Sequence, residues 1–234
     1  MCLSAEASFI AAAGLIPAGA LSAARAYRTD RRYIPIAALP LLFGLQQGLE
    51  GMVWMANGNA ILVERFSLAY MFFSWMAWPV WVPVSVYFLE TEWRKPLYLV
   101  LAIVGGMIGA MQYFPYFAHD GWLTTQFLPR VIIYSGQELF DNVVGRTATH
   151  SIYVVVVVGS LLLSSVLDIR IFGALVGAVV VATFLFFSYA YVSVFCFGGA
   201  IMSLYIVWML FRGIEIPAYL TRLKVGSLRS SSRR

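Results

Sequence analysis

The sequence predicts an all-α fold, a polytopic bundle of seven transmembrane helices with the N-terminus outside and the C-terminus in the cytoplasm. Three observations carry the prediction. Of the 234 residues, 61% are hydrophobic and only 12% charged, with a mean hydropathy of +0.82, too little polar surface to cover a soluble globule of this size. The charges fall in clusters separated by apolar stretches of about 20 residues, the length a helix needs to cross a bilayer. The basic residues are also shared unequally between alternate connections, and basic loops stay cytoplasmic.

The spans are placed at 5–25, 33–56, 66–89, 97–117, 148–167, 171–189 and 191–211, giving a transmembrane domain over 1–211 and a basic tail over 212–234. The first begins "MCLSAEASF". It is not a cleaved secretory signal, because such signals carry positive charge ahead of the apolar core, whereas Glu6 precedes this one and Arg25, Arg28, Arg31 and Arg32 follow it. The second contains the polar stretch "FGLQQGLEGMVW". In the third, Trp75, Trp78 and Trp81 stand among Pro79 and Pro83. Proline removes a backbone donor and kinks a helix, and large rings beside a kink either wall a cavity or serve as packing and interfacial anchors.

Glu90 and Glu92 follow that span beside Arg94 and Lys95, and read as a solvated charge cluster. Small residues recur at fourfold spacing in the fourth span (Gly105, Gly109) and the sixth (Gly173, Gly177), which permits close helix approach within one chain or between chains. The connection 118–147 is too long for a simple link; it is either a lid over an outward pocket or a partly helical segment on the membrane surface. Residues 171–211 form one apolar run too long for a single span, so the chain must turn back near "SYAYVS" (188–193).

This topology puts Arg25, Arg28, Arg31, Arg32, Arg94, Lys95, Arg170, Arg212, Arg222, Lys224, Arg229, Arg233 and Arg234 inside and leaves only Arg65, Arg130 and Arg146 outside. The last stretch carries six of these charges against Glu215, and each basic charge near an anionic leaflet is worth about 1 kcal/mol. A short surface helix and a loose tail are expected there.

Topology also collects the polar residues. Cys2, Ser4 and Glu6 enter from the outer side, and Gln46, Glu50 and Trp54 recur every fourth residue on one helical face with Gln47 adjacent. An ionisable group within a span costs about 2.5–3.5 kcal/mol and normally faces protein or water at a functional position. Glu6 and Glu50 are the two such candidates. His119, His150 and Cys196 also fall at the outer face, but the short-spaced ligand pairs of a metal site are missing, so neither metal nor cofactor is assigned. Cys2 and Cys196 are compatible with a disulfide in an oxidising compartment or with two buried thiols.

Several function classes are excluded. A retinal protein needs a lysine in its last span, yet the only lysines are Lys95 and Lys224, both in inner segments. No phosphate-binding glycine loop, paired-histidine zinc motif or nucleophile elbow occurs, and no folded domain is available for nucleic acid.

The stretches "MCLSAEASF", "IPIAALPLLFGLQQGLEGMVW", "WPVWVP" and "SVFCFGGAIMS" are spread over nearly the whole chain. In them the sequence resembles an uncharacterised family of bacterial multi-pass membrane proteins that begin Met-Cys-Phe-Ser-Ala, with Leu3 in place of the usual phenylalanine. The resemblance implies the fold and a bacterial inner-membrane location, and no activity. It singles out Cys2, Ser4, Glu6, Gln46, Gln47, Glu50, Trp54, Ser193 and Cys196 as one site. Three functions are open: an outward polar pocket in which Glu50 and Glu6 bind a small cation, proton or polar ligand; a non-catalytic subunit that packs with other membrane subunits or copies of itself in the bilayer; and an enzyme using a Cys2 or Cys196 thiol.

Overall fold

The structure, a computed structural model, describes residues 4–136, 139, 145–187 and 190–212. Among these the chain forms seven long helices: α1 (Ala5–Thr29), α2 (Arg31–Met55), α3 (Ala60–Tyr87), α4 (Lys95–Ala118), α5 (Arg146–Leu162), α6 (Leu167–Phe186) and α7 (Tyr191–Arg212). All but α5 are long and apolar enough to cross a membrane. Cys2 and the tail beyond residue 212 lie outside the described residues.

Local chemistry sets the ends. Ser4 caps α1 by accepting from the Ala7 amide at 3.3 Å, with Glu6 in the first turn and Arg28 in the last, the charge order that a helix dipole favours. Asp30 stops α1 and starts the next turn by accepting from the Arg32 amide at 3.0 Å. Asn59 caps α3 by accepting from Leu62 at 3.2 Å, after Gly58 turns the chain at φ +96°. That cap starts α3 six residues before the expected 66, so Glu64 and Arg65 are helical; apolarity alone marked only the later part.

Pro79 and Pro83 act differently from a simple kink. Before them, Phe72–Ala77 winds as a π-helix, and Val155–Gly159 of α5 does the same. The wider turn loosens the regular ladder, and the Tyr153 hydroxyl of α5 donates to the Ser74 carbonyl at 2.7 Å. The spaced glycines serve contacts inside one chain. A β-carbon on Gly105 would stand 2.1 Å from the Pro79 carbonyl oxygen, and one on Gly109 2.2 Å from that of Trp75, so α4 lies directly on the α3 backbone. Gly173 fits against Leu161 in the same manner.

Residues 118–147 hold an element absent from the predicted all-α bundle. Two antiparallel strands, β1 (Leu123–Leu128) and β2 (Val131–Gly136), pair from Leu123↔Gly136 to Leu128↔Val131. The β-branched run "VII" and the tight link Pro129–Arg130 suit a hairpin. It is neither a lid nor a surface helix. Leu123, Ile132 and Tyr134 are buried in a core with Tyr70, Trp75 and Val192, and Thr125 donates to Ser67 of α3 at 2.8 Å.

The opposite end of the bundle corrects the solvated reading of Glu90. Its side chain is buried and accepts from Ser164 Oγ at 2.9 Å and the Ser165 amide at 2.6 Å, with Arg94 Nη1 at 3.6 Å. Glu92 alone behaves as expected, 89% exposed beside Lys95. Nearby, Asp168 accepts from Arg212 and, at 2.9 Å, from Tyr205, tying α6 to α7. The chain turns back between Phe186 and Tyr191, where the continuous apolar run required it.

Candidate functional site

The fourfold face of α2 points into the middle of the bundle, where Gln46, Gln47 and Glu50 are wholly buried. Around them stand Ser74 and Trp78 of α3, Ser193 and Cys196 of α7, and Tyr70 and Tyr134. The group divides into two halves with different chemistry.

The Gln46 half is closed. The Gln46 amide nitrogen donates to Ser74 Oγ at 3.1 Å and Cys196 Sγ at 3.2 Å, and its oxygen accepts from Trp78 Nε1 at 3.1 Å. Ser74 Oγ and Cys196 Sγ are 3.5 Å apart. The Trp78 ring stacks on Phe43 with centroids 4.1 Å apart. Every polar atom of Gln46 is used, which fixes three helices to one another.

The Glu50 half is not closed. Glu50 Oε1 accepts from Ser193 Oγ; Gln47 approaches the Glu50 carboxyl and Tyr70 the Cys196 sulfur as weak hydrogen-bond partners, but no well-formed bond reaches Glu50 Oε2, the Gln47 amide or the hydroxyls of Tyr70 and Tyr134, all of them buried. Tyr70 and Tyr134 stack at 4.8 Å, and both lie close enough to Glu50 to feel its charge. Gln47 lies three residues before Glu50 and therefore on the same side of α2. Trp54 Nε1, one turn further along, also lacks a partner. Each buried polar group left unpaired costs about 1–3 kcal/mol, so these five poorly bonded atoms make this the less satisfied half of the centre. The atoms offer a carboxylate oxygen, an amide oxygen, two phenol oxygens and an amide N–H.

The predicted residues meet only in part. Gln46, Gln47, Glu50, Ser193 and Cys196 come together, with Trp54 at the margin. Ser4 is the α1 cap, and Glu6 is exposed in the first turn, so it is not the second carboxylate of the centre. Cys2 lies outside the described residues. Cys196 carries a free thiol rather than a disulfide and is buried. The outward polar pocket is also corrected: the polar set is enclosed. Among the described residues no three of His, Cys, Asp and Glu converge.

Four contributors were missed. Tyr70, Ser74 and Trp78 repeat every fourth residue along α3, the same spacing as Gln46, Glu50 and Trp54 on α2, and that parallel was the available signal. Tyr134 comes from the hairpin and left none.

Comparison with known proteins adds membership without chemistry. No curated protein and no solved structure matches the chain. Residues 1–218 match a family of unknown function, DUF6629, and the chain belongs to that family.

Proposed function

We propose that the protein is a seven-helix protein of the bacterial inner membrane, N-terminus outside, whose Glu50 centre binds a small cation or a proton. The observation that carries the reading is a wholly buried carboxylate with no well-formed hydrogen bond to its second oxygen, beside the poorly bonded side-chain oxygens of Gln47, Tyr70 and Tyr134. Among the described residues no Lys, Arg or His forms an ion pair with it. A buried charge must be paired, coordinated or neutralised, and a proton or a cation does this here. Thirteen basic residues on one side of the predicted topology against three on the other support the orientation. In this orientation α5, with 17 residues, is the short seventh span.

The test is thermal unfolding of the full-length protein at constant ionic strength, with sodium, potassium or lithium exchanged against choline, and at pH 5 to 8. A ligand at 100 times its Kd stabilises by about 2.7 kcal/mol. A cation-specific rise in midpoint that Glu50→Gln abolishes supports a cation. A rise on acidification alone, also lost in Glu50→Gln, supports a proton. No Glu50-dependent response to either overturns the reading.

A second reading has its own observation. The closed Gln46 network is the kind of internal fastening that a non-catalytic subunit of a membrane assembly would carry, and the exterior is strongly apolar, with Ile10, Phe117, Leu185 and Phe186 each 70% exposed or more. Stoichiometric partners copurifying from native membranes would favour it.

A further inference from the structure

α1 and α7 pack side by side at the end of the bundle that holds Asp168, and their outer faces change character in the same way. On α1, exposed Leu21 is followed at helical spacing by exposed Arg25 and Arg28. On α7, exposed Leu204 and Trp208 are followed at the same spacing by Arg212, with Phe211 exposed beside it. Arg25 lies across the seam between the two helices, its guanidinium carbon 5.9 Å from the centre of the Phe211 ring. Ala5 to Arg25 is about 30 Å of helical rise and Tyr191 to Arg212 about 32 Å. On both helices, therefore, arginine comes where a hydrocarbon core of about 30 Å ends.

The arginines at this end are not equally free. Arg32 grips Asp30, with Nη2 2.6 Å from Oδ2. Arg31 donates to the Tyr27 hydroxyl at 3.0 Å and covers the Tyr27 ring at 4.3 Å. Arg212 is bonded to Asp168, which Tyr205 also holds at 2.9 Å, and lies 4.3 Å over the Trp208 ring. Arg25 and Arg28 form no hydrogen bond or ion pair among the described residues. With Asp30 and Asp168 both spent on other arginines, the seam keeps an uncompensated positive charge beside exposed rings and aliphatic side chains.

We propose that the α1–α7 seam binds one anionic phospholipid, with its phosphate on Arg25 and Arg28 and an acyl chain along Leu21, Leu204 and Trp208. Residues three apart on a helix are neighbours on its surface, and a guanidinium meets phosphate oxygens through charge-assisted, two-point bonds. Within a bilayer the acyl chain gains nothing from leaving water, so selection rests on the head. Basic clefts between spanning helices select anionic heads on this ground. A zwitterionic lipid brings its own ammonium to a site that is already positive and is held less well. The inference rests on the helices lying in a bilayer, and neither on their orientation nor on what occupies the Glu50 centre.

In the experiment, full-length protein in a non-ionic detergent is offered equal amounts of phosphatidylglycerol and phosphatidylcholine with the same acyl chains, and native mass spectrometry identifies the first lipid retained. The expected result is a phosphatidylglycerol adduct in about ten-fold excess, which Arg25→Gln combined with Arg28→Gln removes. Arg65→Gln combined with Arg130→Gln takes away as much charge at the opposite end and should leave the excess within about two-fold. All four positions are exposed, so the fold is retained. Equal adducts of the two lipids on the unchanged protein overturn the proposal. So does a preference that survives the Arg25 and Arg28 changes, or one that falls as far with the Arg65 and Arg130 changes.

Discussion

Glu90→Ala isolates what a buried carboxylate contributes at the end of the bundle opposite the hairpin. The side chain accepts two hydrogen bonds from the α5–α6 turn, at 2.9 Å from Ser164 and 2.6 Å from Ser165, and faces Arg94 at 3.6 Å. Hydrogen bonds to a charged group contribute about 1.5–3 kcal/mol, and removing one member of a buried pair costs about 3–5 kcal/mol. Arg94 retains 22% of its side-chain exposure and also donates to the Leu163 carbonyl, so part of its loss is recovered from water. The expected cost of Glu90→Ala is then about 3–4 kcal/mol. Glu90→Gln keeps an acceptor for the Ser165 amide and should lose about half as much. Glu92→Ala, at an 89% exposed position, should leave the midpoint unchanged, as expected for surface pairs. Unfolding of the full-length protein in bicelles, followed by tryptophan fluorescence, reads all three. Equal midpoints for Glu90→Ala and Glu92→Ala would refute the reasoning.

Gly105→Ala should destabilise by more than about 2 kcal/mol, since its β-carbon meets the Pro79 backbone at 2.1 Å, whereas Gly106→Ala, whose nearest neighbour is Val80 Cγ2 at 3.4 Å, should be neutral or slightly stabilising in the same assay. Trp78→Phe strands the Gln46 oxygen and should cost about 1–3 kcal/mol, and pairing it with Gln46→Met should cost less than the sum of the two single changes. Burial first, and then the neighbouring Glu50 carboxyl, hold the Tyr134 hydroxyl well above the ordinary phenol range. Its protonated form is thus favoured in the fold, so the contribution is complete below about pH 10 and is lost as pH rises further. The midpoint of the unchanged protein should fall more steeply above that pH than that of Tyr134→Phe.

What the sequence disclosed follows from which forces act along the chain and which act across it. Apolar length marked each helix, and the fold-back near residue 190 followed from a run too long for one span. Helix starts were less legible because a cap such as Asn59 extends a helix into polar sequence. The Gln46–Glu50–Trp54 face was readable because period and residue type agree. Glu6 shows the limit of the same rule: a carboxylate at the start of an apolar run serves a helix N-terminus as well as a pocket, and only packing separates the two. Glu90 shows the converse, since its partners Ser164 and Ser165 are over seventy residues away. Tyr134 reaches the centre through a hairpin whose six-residue strands lie in a segment otherwise read as a connector or lid.

The two halves of the polar centre permit a final distinction. If the whole centre were packing, its two glutamines should respond alike to replacement by methionine, a side chain of similar length without polar atoms. Gln46 is fully bonded, so Gln46→Met removes acceptor and donors from Trp78, Ser74 and Cys196 and should destabilise by several kcal/mol. Gln47 has no well-formed bond, only a weak approach to the Glu50 carboxyl, and replacing a poorly satisfied buried polar group with an apolar one of similar shape costs little or nothing. Gln47→Met should therefore hold the midpoint in choline buffer while weakening any cation-dependent rise. Melting both variants with and without the cation separates the cases. A Gln47→Met variant that is destabilised as much as Gln46→Met, whether or not the cation is present, would make the Glu50 half a fastening like its neighbour rather than a site.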